Sequence, residues 1–169
     1  MNGGIIEKDE LASLVPHKGK MFMLSRLLEY SIEERTLTAE YDVSGDCLFY
    51  DEELDGLPAW AAFELMAQSI CVLSGLRGRE KGQGPKPGFI LSVTGMEIMT
   101  PVLQAGSPVR INIKEDCRVD EVFTFDCRVF CGAHREADEV LLYDEEGVLA
   151  ARARLTVMDA DAEFLEKLK

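Results

Sequence analysis

From Pro58 to Gly75 the chain reads PAWAAFELMAQSICVLSG, and Glu64 is the only charge in that run. A helix drawn through these residues is apolar on nearly every face, so it cannot lie on a surface with one side in water. Other structure must wrap it. Ala59 to Leu76 approaches the length of a membrane span, but Glu64, Gln68, Ser69 and Ser74 would each need a partner at bilayer depth. These costs favour a helix enclosed by protein and no membrane. A lone carboxylate in such surroundings is expensive unless something satisfies it or uses it.

The rest of the chain supplies a wrapping. MFMLSRLLEY (21–30) and TLTAEYDV (36–43) read as strands forming a hairpin across IEER. After the linker GQGPKPG come four more: GFILSVTGMEIM, PVRINIKEDCRV, VFTFDCRVF and VLAARARLTVM. In the second, Val109, Ile111 and Ile113 alternate with Arg110, Asn112 and Lys114; in the last, Leu149, Ala151, Ala153, Leu155 and Val157 oppose Arg152, Arg154 and Thr156. A short helix is expected around Glu7 to Leu14, ended by Pro16, and the loop PHKGK follows it. Pro58 suits the first turn of the long helix, where its missing N–H would be unpaired anyway. That helix is expected to end near Gly75 to Gly78, with Arg77 and Arg79 at its negative end. HREADEV and YDEEG read as loop around a short strand at VLLY, and DADAEFLEKLK (159–169) as a solvated tail or a short helix. The expected architecture is a single α+β domain over residues 1–169, an antiparallel sheet curled around a central helix. Its sheet edges invite a second copy.

Composition narrows the partners. A net charge of -13 argues against nucleic acid, whose binding relies on Lys and Arg neutralising phosphates. Any acidic partner must dock on a local basic patch. The five cysteines include no Cys-x-x-Cys pair. Cys127 and Cys131, in one strand, would stand roughly 13 Å apart, too far to bridge. Reduced thiols and an N-terminus without a basic, apolar leader suit a cytoplasmic protein.

Three blocks in this order, LVPHKGKMFMLSRLLEY, LPAWAAFELMAQS and GFILSVTGMEIMTPVLQAGSPVRI, resemble the FabZ/FabA-type 3-hydroxyacyl-acyl-carrier-protein dehydratases. The resemblance covers about residues 8–158. It looks closest to the divergent dehydratase-like branch of aryl-polyene-type clusters, where Pro-Ala-Trp opens the helix. It implies the hotdog fold, with active sites formed between two protomers. It also implies elimination of water from a 3-hydroxyacyl thioester to give a 2-enoyl thioester, with an acyl carrier protein delivering the substrate. No metal and no cofactor are implied.

In that family a histidine takes the α-proton and a carboxylate on the central helix of the other subunit protonates the departing hydroxyl. Pro58 and Glu64 match the motif's proline and carboxylate, which makes Glu64 the candidate acid. Gln68, one helical turn on, matches the family's glutamine and is a candidate for the substrate pocket. Pro58, Ala59 and Trp60 are candidates there too, the N–H groups of Ala59 and Trp60 being placed to polarise a thioester carbonyl. The chain departs from the pattern where the family carries His-Phe-Pro-Gly. It has CLFYDEELDG, with Tyr50 about where the histidine falls. His17, which matches the histidine of the family's Leu-Pro-His motif, is then the candidate base; His134 matches nothing. Ser25 stands where the family has an aspartate before Arg26. Arg77, Arg79, Lys81 and Lys86 are candidates to meet an acidic carrier protein, and Trp60, Phe63, Met66 and Ile70 read as core or dimer packing. Three functions stay open: a dehydratase, a catalytically silent subunit paired with another hotdog dehydratase, or an acyl thioesterase. Homodimer and heterodimer also both stay open.

Overall fold

The computed structural model describes residues 2–132, 147–160 and 162–167. His134 and the VLLY segment lie outside the described residues. At the N-terminus are β1 (Asn2–Gly3), β2 (Ile6–Glu7) and α1 (Lys8–Leu11), followed by a hairpin of β3 (Arg26–Ser31) and β4 (Thr36–Asp42). The turn between these two strands is closed by Arg35, in the left-handed region at φ 61. β5 (Gly56–Pro58) leads through a 3-10 turn over Ala59–Ala61 into the central helix α2 (Ala62–Glu80). The remaining elements are β6 (Gly88–Ile98), β7 (Val102–Gln104), β8 (Pro108–Val119), β9 (Val122–Cys131), β10 (Val148–Asp159) and α3 (Ala162–Lys167).

One antiparallel sheet runs in the order β1-β3-β4-β8-β9-β10-β6, with β2 added on β3, and β5 pairs separately with β7. Period-two alternation aims Leu37, Ala39, Val109, Ile111, Ile113, Phe125, Val129 and Leu155 at one face, where all are buried. α2 lies against that face. Leu65, Met66, Val72, Leu73 and Leu76 are buried on it, each burial worth about 1.5–3 kcal/mol against exposure. The segment Ala59–Glu80 is long and apolar enough to cross a membrane, and 67% of its most apolar stretch is enclosed by the protein.

Three expectations change. Met21 to Ser25 is not strand; a 3-10 turn over Gly19–Met21 and an extended stretch precede β3. There the chain leaves sheet pairing and turns its backbone toward α2. Pro58 is not in the first helical turn. It ends β5 with an extended ψ of 131, because its neighbours pair with β7. α2 also runs on to Glu80 rather than stopping near Gly75 to Gly78. Its last-turn arginines are paired there, Arg77 with Glu115 at 2.6 Å and Arg79 with Glu10 at 2.7 Å.

The sheet outruns the helix at one edge. Val93 stands opposite Leu155 and Ile90 opposite Val157, so both face the helix side, yet each remains about 40% exposed. Leu91, at a bulge between them, is 51% exposed. Among the described residues β6 has β10 as its one strand neighbour. An edge strand of this length with apolar side chains is a template for another chain.

Candidate active site

Gln68 is the fixed point of the site. It is fully buried, and three bonds lock it: its Oε1 accepts from the Met23 N–H at 2.8 Å, and its Nε2 donates to the Met21 carbonyl at 2.6 Å and to Glu64 Oε1 at 2.9 Å. The irregular Met21–Met23 stretch therefore exists to clasp α2, since a strand ladder would have consumed those backbone groups. Gln68 in turn holds the Glu64 carboxylate, one helical turn away, in a single orientation.

His17 meets that carboxylate. The loop after α1 brings His17 Nε2 to 3.8 Å from Glu64 Oε1, with side chains 23% and 16% exposed. Both groups are largely enclosed but reachable. They belong to one chain, whereas the family resemblance implies a pair split between two subunits.

From this pair a cleft of about 110 Å³ follows α2 past Ala67, Ile70, Cys71 and Ser74, walled on the sheet side by Phe89, Ile90, Val157 and Met158. Cys71 and Ser74 follow Glu64 by seven and ten residues, spacings that keep them along one side of a helix. Burial, reinforced by the charges of Glu64 and Asp159, pushes the Cys71 thiol up to about 12. It is a neutral wall of the cleft and not a nucleophile at physiological pH. At the far end Ser74 Oγ donates weakly to Asp159, at 3.4 Å. Burial first, and the nearby Glu121 charge second, raise the Asp159 carboxyl above the usual range.

The other candidates are not brought to this cleft. The Ala59 N–H donates to the Pro101 carbonyl at 2.9 Å, so it is not free to polarise a thioester. This corrects the role expected of it. Ala59 is buried in the bend that joins β5 to α2. Trp60 is not core: it is 52% exposed and packs edge-on against Phe49 at 5.8 Å. Tyr50, near the position of the family's histidine, donates to Asp55 at 2.6 Å and so braces its own loop. Arg26 has no aspartate beside it, but Asp42 (2.6 Å) and Glu40 (2.7 Å) come from β4 to pair with it. The ion pair thus survives with acids from the neighbouring strand, and Ser25 Oγ accepts from the Asp42 N–H to hold that strand close.

Residues 9–168 match the family model described as ApeP-like, ApeP dehydratase. The chain belongs to the ApeP-like dehydratase family. Its structure is similar to that of the dehydratase heterocomplex ApeI:P from Xenorhabdus doucetiae, with a TM-score of 0.77 at 22% identity over 94% of this chain and 95% of that one. Weaker likenesses, each with a TM-score of 0.52, are to two other proteins. The PaaI protein from the phenylacetic acid degradation operon of E. coli is 9% identical over 76% of this chain and 75% of that one. A hypothetical thioesterase with coenzyme A from Streptococcus pneumoniae TIGR4 is 10% identical over 75% of this chain and 80% of that one. These confirm the hotdog fold. No curated relative matches the chain in sequence. For an ApeP-like dehydratase, His17 and Glu64 are the two titratable side chains that meet at the head of the cleft.

Proposed function

We propose that this chain is the acid-base subunit of a hotdog pair that removes water from 3-hydroxyacyl thioesters carried on an acyl carrier protein. The observation that carries this reading is the approach of His17 Nε2 to Glu64 Oε1 at the head of an apolar cleft. His17 takes the proton from the α-carbon, and the electrons of that C–H bond become the new double bond. The C–O bond at the β-carbon breaks as Glu64 gives its proton to the leaving hydroxyl, and water departs. The 3.8 Å between the two groups suits a base and an acid acting on adjacent carbons. The proton then returns from the imidazolium to the carboxylate, so the pair resets itself.

The partner in this reading is a second hotdog subunit seated on β6. The ApeI:P protein of Xenorhabdus doucetiae is a heterocomplex, and here, among the described residues, β6 has one edge without a strand neighbour and exposes Ile90, Leu91 and Val93. Ile90 also lines the cleft, so a subunit on that edge would close the substrate's surroundings. Val93→Arg buries a charge in that contact and should abolish the complex with the partner, read by light scattering after size exclusion, without lowering the Tm of the free chain. With Arg77 and Arg79 committed to Glu115 and Glu10, Lys81 and Lys86 remain for the carrier protein, and Lys86 lines the cleft.

The test is turnover by the purified pair. A 3-hydroxyacyl thioester should yield the conjugated enoyl thioester, followed by its absorbance, and His17→Gln should stop this. Release of free thiol without enoyl product would mean a thioesterase. Full turnover by a pair carrying both His17→Gln and Glu64→Gln would make this chain the silent member.

A further inference from the structure

We propose that Gly75 is a positioning residue for His17. Gly75 follows Glu64 by eleven residues, which at 3.6 per turn returns it to nearly the same side of α2. The segment from Leu14 to His17 runs along that side. A Cβ on Gly75 would overlap the Leu14 carbonyl oxygen, a backbone atom that cannot rotate away as a flexible side chain can. Leu14 and Val15 are both buried, so the segment is pressed onto the helix at this point and leaves it three residues later as His17. The depth at which it rides on α2 therefore sets how near the imidazole comes to Glu64.

Gly78, in the same helix, carries no such constraint. A Cβ there would meet the Gln83 carbonyl at 3.4 Å and the Gly84 carbonyl at 3.5 Å, ordinary contacts. Helix propensity favours alanine over glycine at both positions, so helix formation alone would make either substitution harmless. Only at Gly75 does the added methyl lift the His17 segment.

This inference rests on the reading of His17 and Glu64 as the reacting pair, and the experiment separates the two. In the assembled pair of subunits, Gly75→Ala and Gly78→Ala are compared for kcat, KM, pH profile and Tm. The His17 imidazole is followed by NMR, the chain having only one other histidine to assign. Displacing a catalytic group by about 1 Å costs on the order of 100-fold in rate. The expected result is that loss in kcat for Gly75→Ala, with KM within about twofold, a moved His17 resonance and a shifted pH profile. Gly78→Ala should match the unaltered protein throughout. A Gly75→Ala variant with unaltered kcat and an unmoved His17 resonance overturns the proposal. An unaltered protein without dehydratase turnover would refute the functional reading alone, since the resonance still reports whether Gly75 sets the position of His17. If Gly75→Ala does not fold, Leu14→Gly, which slackens the same segment from the loop side, is judged by the same readouts.

Discussion

Glu64→Gln should eliminate dehydration and leave the fold intact. The carboxylate is held by one bond, from Gln68 Nε2 to its Oε1, and the amide oxygen of the substituted side chain can accept that bond unchanged. Gln68 keeps its other two partners, the Met21 carbonyl and the Met23 N–H, so the clasp between α2 and the N-terminal loop survives. What disappears is the group that, in the proposed reaction, hands a proton to the leaving hydroxyl. A positioned acid or base contributes about 10²- to 10⁴-fold, so kcat should fall by that much while Tm moves by no more than a few degrees. Turnover within tenfold of the unaltered pair would remove Glu64 from the chemistry. A large drop in Tm would instead make it a structural carboxylate.

The same residues explain how much of the fold and of the site is legible in the sequence. The long helix was legible because an apolar run with one charge has few homes, and the strands because Val109, Ile111 and Ile113 alternate against polar neighbours. Glu64 stood out for the same reason, as a charge with no local excuse. The clasp on Gln68 was not legible: MFML has the composition of a strand, and only tertiary contact decides that Met21 and Met23 spend their backbone groups on a side chain. Nor could composition reveal that the Ala59 N–H is taken by Pro101, since β5 and β7 are too short to announce themselves and their pairing draws the two loops together. The meeting of His17 with Glu64 in one chain depends on a loop path that Gly75 permits, and a glycine inside a helix reads from sequence as no more than a weak point.

Glu115 has its place written in the alternation of β8. It follows Val109, Ile111 and Ile113 in parity, so it points inward, an acid at a core position of β8. Its side chain has no exposed surface and is met by Arg77 at 2.6 Å, Arg118 at 3.0 Å and Arg35 at 3.4 Å. These come from the end of α2, from β8 itself and from the β3–β4 turn. The acid therefore ties the helix terminus to two parts of the sheet. Glu115→Ala leaves three guanidinium groups facing one another around a vacated site. Loss of one partner from a buried pair costs about 3–5 kcal/mol. Arg35 and Arg118 are half-exposed and partly screened, which points to the lower end, about 3 kcal/mol. For a chain of this size that is a fall of roughly 6–12 °C in Tm, measurable by calorimetry. Burial alone would raise this carboxyl, but bonds to Arg118 and Arg77 outweigh it and hold the group below its ordinary value. A group depressed on folding stabilises the native state above its unfolded pKa, about 4.3 for glutamate, and that stability drains away as pH falls through the folded value. Glu115→Gln, which cannot titrate, should therefore be destabilised at pH 7 yet lose less further stability on acidification than the unaltered chain. Parallel acid limbs for the two proteins would mean that the three arginines do not hold Glu115 ionised.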